Sequence, residues 1–237
     1  MIKEIERTYK IFVKNHNLPT TEFIEVENLK PLAQVNCNNL YNRKYVMYYR
    51  KDFEKYNQTY INSILYHEFT HILDSIAILN AEKINYEDFE TIMDIFSEIH
   101  ASAEEMNVLF FSESIEPTLN KNIMHKEIIS LKSFLDQTLG HVNSILQEAV
   151  PNEKILYYFI GYIDFLRRID IKYDYRYNTG SKELDKLAND LTLLVFNIPD
   201  RGCVTKEFID YHKKITTIMN KKLNDMQDLL SSLKDLI

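Results

Sequence analysis

The sequence predicts a mainly helical α+β fold. Three observations carry that prediction. Apolar residues recur every three to four positions over most of the chain. Between residues 22 and 50 this period gives way to short β-branched and aromatic runs. Only four Gly and five Pro interrupt the 237 residues, which leaves little room for long linkers or Gly-rich loops.

Residues 2–15 put Ile5, Tyr9, Phe12 and Val13 on one helical face, and Asn17-Leu18-Pro19 ends that helix. FIEVE (23–27), AQVN (33–36) and KYVMYYR (44–50) read as three strands. Asn57 is placed to cap the next helix. Ile61, Leu65, Phe69, Ile72, Ile76 and Leu79 run along it, and Asn80 closes it. Asn85, with Asp88 three residues on, opens a helix that runs to Phe111. Its apolar arc is Phe89, Ile92, Phe96, Ile99, Ala103 and Met106. Glu116-Pro117 marks a break. Helices are then expected over 122–149, 153–169, 182–196 and 204–235, with an irregular stretch at 170–181 and a turn at 197–203. This gives a core over 1–115 and a helical subdomain over 116–237 packed on it. The last helix carries a stripe of Ile215, Ile218, Met219, Leu223, Met226, Leu229, Leu230 and Leu233, the pattern of a core face.

Composition narrows the function classes. Hydrophobic residues make up 45% and charged residues 27%, enough to build a core rather than a disordered chain. The net charge of −7 argues against a nucleic-acid partner. The commonest nucleotide-binding glycine motifs do not occur. No apolar stretch approaches ~20 residues, so no membrane span is expected. The N-terminus has no apolar signal-like run, so the expected location is the cytoplasm. Cys37 and Cys203 then read as reduced, buried thiols.

One constellation carries chemistry. Residues 67–71 read His-Glu-Phe-Thr-His on the central helix. Two His four apart project from one helical face, and their ring nitrogens can meet a single Zn2+. Glu68 lies ~100° round the helix, where it can deprotonate water rather than bind metal. Composition alone yields such a motif by chance in only ~2% of chains, which favours a metal site over coincidence.

The stretch ILYHEFTHILD (64–74) resembles the active-site helix of the zincin metallopeptidases. The order helix, strands, motif helix, next helix over 1–115 is similar to a compact zincin core, about half the chain. Asp74 and Ala77 stand where the metzincin branch has its glycine and third histidine, so that branch fails. The resemblance to gluzincins implies Glu98 as third ligand, within Phe96-Ser97-Glu98-Ile99-His100-Ala101-Ser102. Ser97 and Ser102 replace the Asn and Asp that orient the histidines in that branch. Asp74 is a substitute partner for an imidazole N–H. The helical wheel sets Glu98 opposite the apolar arc, which keeps His100, Glu104 and Glu105 open as alternatives.

The resemblance further implies a peptide or protein substrate and hydrolysis with Glu68 as general base. In short zincins the strand before the motif helix is the sheet edge that pairs with substrate. That points to Lys44–Arg50, with Tyr45, Val46, Met47 and Tyr48 as substrate-binding residues. Candidates for a transition-state donor are Tyr157, Tyr158, Tyr173, Tyr175, Tyr177, His125 and His141. The overall pattern is similar to small bacterial or prophage metallopeptidases. The competing reading is a zincin-fold binding or regulatory protein with a structural metal and no peptidase activity. A third is a helical interaction protein without metal.

Overall fold

The first helix, α1 (Ile2–Val13), buries Ile5, Tyr9 and Phe12 against a three-stranded sheet and the central helix. A computed structural model describes residues 1–14, 16–81, 83–111, 118–148, 154–197 and 206–234. The side chains of 81, 206–208 and 226–234 are not part of that description. The break at Glu116-Pro117, the turn over 198–203, Cys203 and the stripe residues Met226, Leu229, Leu230 and Leu233 lie outside it.

The architecture is α+β and mainly helical. The strands β1 (Glu22–Val26), β2 (Ala33–Val35) and β3 (Val46–Arg50) stand in the order β1-β3-β2. β1 runs parallel to β3, and β2 runs antiparallel to it. The expectation that 44–50 forms the sheet edge is therefore corrected. β3 is the middle strand, with neighbours on both sides. Its burial explains why: Met47 and Tyr49 are buried, and the most apolar strand gains most in the centre. Val46, Met47 and Tyr48 thus lie in the middle strand with Tyr45 just before it, and the Tyr48 hydroxyl accepts from Asn39. Between β2 and β3 lies a short helix, α2 (Cys37–Tyr41), that the sequence did not announce; Asn36 caps it at 3.2 Å.

The central helix α3 (Gln58–Ala81) starts where Asn57 Oδ1 accepts the Tyr60 N–H at 2.8 Å. It is buried on nearly every side, with Leu65, Phe69 and Ile72 fully covered. Ser63, Thr70 and Ser75 are covered too, and each hydroxyl donates to a carbonyl of its own helix. That satisfies the polar groups without a tertiary partner.

Asn85 caps α4 (Tyr86–Ile92), accepting from the Asp88 N–H at 2.8 Å. The chain then makes one wide π-type turn at Met93–Ser97 before α5 (Glu98–Phe111). The regular helix expected over 86–111 is thus interrupted. A π turn holds one extra residue, so everything after it is rotated by ~100° from a plain α-helical wheel. The wheel that turned Glu98 away from the apolar arc used the wrong period.

α5 lies between α3 and α7 (Lys154–Arg168). Gly161 makes the second approach possible. A Cβ there would stand 2.3 Å from Ile99 O and 2.8 Å from Ser102 Cβ. The helix expected from residue 122 is also corrected. Residues there form an antiparallel hairpin, β4 (Asn122–Met124) and β5 (Ile128–Ser130), with Ile123 opposite Ile129. Ile123 is buried, and β-branched residues at alternate positions favour pairing over helix. Ser130 then caps α6 (Leu131–Glu148). α8 (Lys182–Phe196) and α9 (Lys206–Lys234) complete the chain, with Ile215 and Met219 buried in the same cluster as Ile95 and Ile99.

Candidate metal centre

α3 presents His67 and His71 one turn apart, with ring centroids 4.8 Å from each other. The π turn swings Glu98 at the start of α5 to face them. Glu98 Oε2 lies 3.4 Å from His67 Nε2 and 3.6 Å from His71 Nε2. All three side chains are buried, and the three donor atoms lie within 4.8 Å of one another. Donors ~2.0–2.1 Å from a tetrahedral ion are ~3.3–3.4 Å apart, close to the two Glu98–His separations, so the cluster could hold a metal ion. Glu98 Oε2 is buried without a hydrogen-bond partner. A buried carboxylate oxygen in that state is costly unless a cation meets it.

The surrounding bonds orient the donors. Ser97 Oγ donates its proton to Asp74 Oδ2 at 2.8 Å. It therefore accepts from His71 Nδ1–H, 2.7 Å away. That assignment leaves His71 Nε2 with a lone pair, the form a metal ligand needs. Burial pushes the His71 imidazole down to about 3, so it stays neutral. Asp74 is thus a partner of His71 at one remove, through Ser97. Its other oxygen takes His100 Nδ1 at 2.8 Å.

His67 has a carboxylate on each side. Glu105 Oε2 is 3.3 Å from Nδ1, the nitrogen remote from Glu98, though without hydrogen-bond alignment. Burial alone would lower the His67 pKa, but Glu105 and Glu98 hold it up at about 10. Burial would raise Glu98, but His71 and His67 beside it hold its carboxyl well below the usual range. Lys154 Nζ, from α7, donates to Glu98 Oε1 at 3.0 Å and pairs with Asp94 at 2.8 Å. This leaves Glu98 Oε2 for the cluster.

Glu68 is buried beside the histidines and does not join the donor set. Its Oε2 accepts the Val35 N–H at 2.7 Å. Burial raises its pKa to about 7. The bond to Val35 ties the motif helix to the sheet edge. Arg50 N–H donates to Leu32 O at 2.8 Å, so Leu32 and Gln34 face β3, whereas Ala33 and Val35 turn their main-chain groups outward. β2 is therefore an outer strand of its sheet, bordering the cleft lined by Ala33, Ile64, His67, Glu68, Glu105 and Tyr158.

The three-ligand cluster contains Glu98. His100 is engaged with Asp74 and lies 4.0 Å from Glu104, and Glu105 stands behind His67. Ser102 Oγ is buried against α7 without a hydrogen-bond partner and does not take up the orienting role of the Asp it replaces. Of the donor candidates, Tyr158 reaches the site, its ring 5.8 Å from that of His67. Burial, reinforced by Glu98, Glu68 and Glu105, pushes its phenol up and keeps it protonated. Tyr157 binds His212 Nδ1 at 2.6 Å. Tyr173, Tyr175 and Tyr177 pack around Phe159, and His125 packs between Tyr60 and Phe134. His141 is an exposed residue of α6.

Lys154, Val35 and Tyr162 were not singled out in the sequence. The signal for α7 was Gly161, a costly residue inside an aromatic-rich helix unless another backbone approaches closely. Lys154, Tyr158 and Gly161 share one face of α7 by their spacing. Comparison with known protein families, curated proteins and solved structures finds no match to this chain. The functional reading therefore rests on the geometry of the site.

Proposed function

We propose that the chain is a zinc-dependent peptidase with a compact zincin core of gluzincin type. The observation that supports it is the convergence of His67 Nε2, His71 Nε2 and Glu98 Oε2 beside a Glu68 that stays outside the donor set. Bound by these three, Zn2+ would supply Lewis acidity and make water available as a nucleophile near neutral pH.

The chain's own groups account for the rest. Val35 N–H holds Glu68 Oε2, which leaves Oε1 to take a proton from the attacking water. A carboxyl raised to about 7 can also return that proton, here to the leaving amide nitrogen. The Tyr158 hydroxyl stays protonated and donates toward the oxygen on which charge develops. β2 is an outer strand of the sheet and borders the cleft, where an extended peptide would add to the sheet. The substrate strand is thus assigned to β2 rather than to β3.

Zinc content and peptide cleavage test the reading together. Wild type should hold about one zinc per chain and cut a mixture of unstructured peptides. Glu98→Ala should lose the zinc. Glu68→Gln should keep it and lose cleavage by ~10³-fold or more. A wild type that holds zinc and cuts nothing would leave a structural metal site in a binding protein. A wild type that takes up no zinc would overturn the proposal.

A further inference from the structure

The cleft beside His67 and Glu68 is a cavity of about 220 Å³. Leu32, Ile64, Tyr60, Tyr162, Tyr158 and Glu105 form its wall. Its lining holds the carboxylates of Glu68 and Glu105 and neither Lys nor Arg, and His67 is already set between Glu105 and Glu98. Glu105 uses one oxygen, Oε2, for the Tyr162 hydroxyl at 3.3 Å and for His67 Nδ1 at 3.3 Å. Among the described residues, no hydrogen bond engages its second oxygen, Oε1, and the residue lines the cavity. Tyr60 is 6% exposed, and among the described residues no hydrogen bond engages its hydroxyl. It lines the same cavity from the first turn of α3.

A free carboxylate oxygen, an unpartnered phenol and tyrosine rings are the groups that receive a cation. The aliphatic wall of Ile64 and Leu32 suits the methylene stem of a long side chain. An anionic side chain would meet the carboxylates of Glu105 and Glu68. We infer that this cavity is a side-chain subsite for Lys or Arg of a bound peptide, with Glu105 as the residue that sets the preference. The inference rests on the peptidase reading for its place beside the reacting bond, but binding alone can test it.

The probes are capped pentapeptides Ala-Ala-Xaa-Ala-Ala, with Lys, norleucine or Glu at the centre. Norleucine keeps the stem of Lys and removes its charge. Binding is measured by calorimetry on the zinc-loaded Glu68→Gln protein, which prevents turnover, and on Glu68→Gln/Glu105→Gln. The readout is the Lys-to-norleucine affinity ratio, in which any general loss of affinity cancels. Lys should bind about tenfold more tightly than norleucine, and Glu more weakly than either. The ratio should fall to near one with Glu105→Gln. Equal affinities for Lys and norleucine, a Lys preference that survives Glu105→Gln, or no saturable binding of any peptide would each overturn the inference. Wild-type cleavage of a peptide mixture separates the two claims. Cleavage without enrichment of Lys or Arg beside the cut bond overturns the subsite and leaves the peptidase. Selective binding without cleavage leaves the subsite and removes the peptidase.

Discussion

Ser97 has a single hydroxyl proton and gives it to Asp74 Oδ2, so it can only accept from His71. The same arrangement sets the tautomer of a metal ligand. Removing the hydroxyl leaves His71 Nδ1–H without its acceptor and Asp74 without a donor. Ser97→Ala should therefore weaken zinc binding by about 10–100-fold while the helices persist. Competition with a chromophoric chelator reads the affinity, and circular dichroism reads the fold. Unchanged affinity would show that the relay does not orient His71. In the sequence, Ser97 was visible only as a departure from the expected Asn. Its replacement role needed the distances to Asp74 and His71, both on α3, far from Ser97 in the chain.

The wide turn at Met93–Ser97 decides where Glu98 points. Deleting one residue from it, Asp94 being partly exposed, should restore a plain α-helical register. Glu98 would then rotate by ~100° away from His67 and His71. The deletion variant should stay helical and hold no zinc; retained zinc would mean that the turn is not what aims Glu98. On the other side of α5, Gly161 sets the closeness of α7. Gly161→Ala places a methyl group 2.3 Å from a backbone oxygen that cannot move alone. It should cost ~3 kcal/mol in denaturant unfolding. It should also shift Lys154 and Tyr158, which share its face, and so lower zinc affinity together with stability. A stability close to wild type would show that the two helices can separate without strain.

At the scale of the whole molecule, the site gathers β2, α3, α5 and α7, and each holds it from a different side. Metal bound only by the folded chain stabilises it by about 2.7 kcal/mol at a hundredfold excess over Kd. Zinc should accordingly raise the melting temperature of chelator-treated protein by several degrees. Without metal, Glu105 and Glu98 keep a proton on His67 up to about 10. Zinc must displace that proton to use Nε2, so its affinity rises with pH across the neutral range. The zinc-dependent gain in melting temperature should therefore be larger at pH 8 than at pH 6. A gain that is flat with pH would mean that His67 is not a ligand. No helix among the described residues is long and apolar enough to cross a membrane.

The helical class, the short sheet and the His67-Glu68-His71 unit were legible in the sequence because each depends on local period. Four residues along a helix define one face whatever surrounds it. Asn57, Asn85 and their caps were legible for the same reason. Strand order was not, since the choice between β2 and β3 as the edge depends on which strand gains most burial from two neighbours. The hairpin at 122–130 was hidden because its isoleucines become strand residues only through pairing and burial. The direction of Glu98, the Ser97–Asp74 relay and the arrival of Lys154 and Tyr158 were decided by tertiary structure. Each depends on contacts between segments distant in the chain, and a one-residue change of helical period is enough to turn a side chain from one helix face to another.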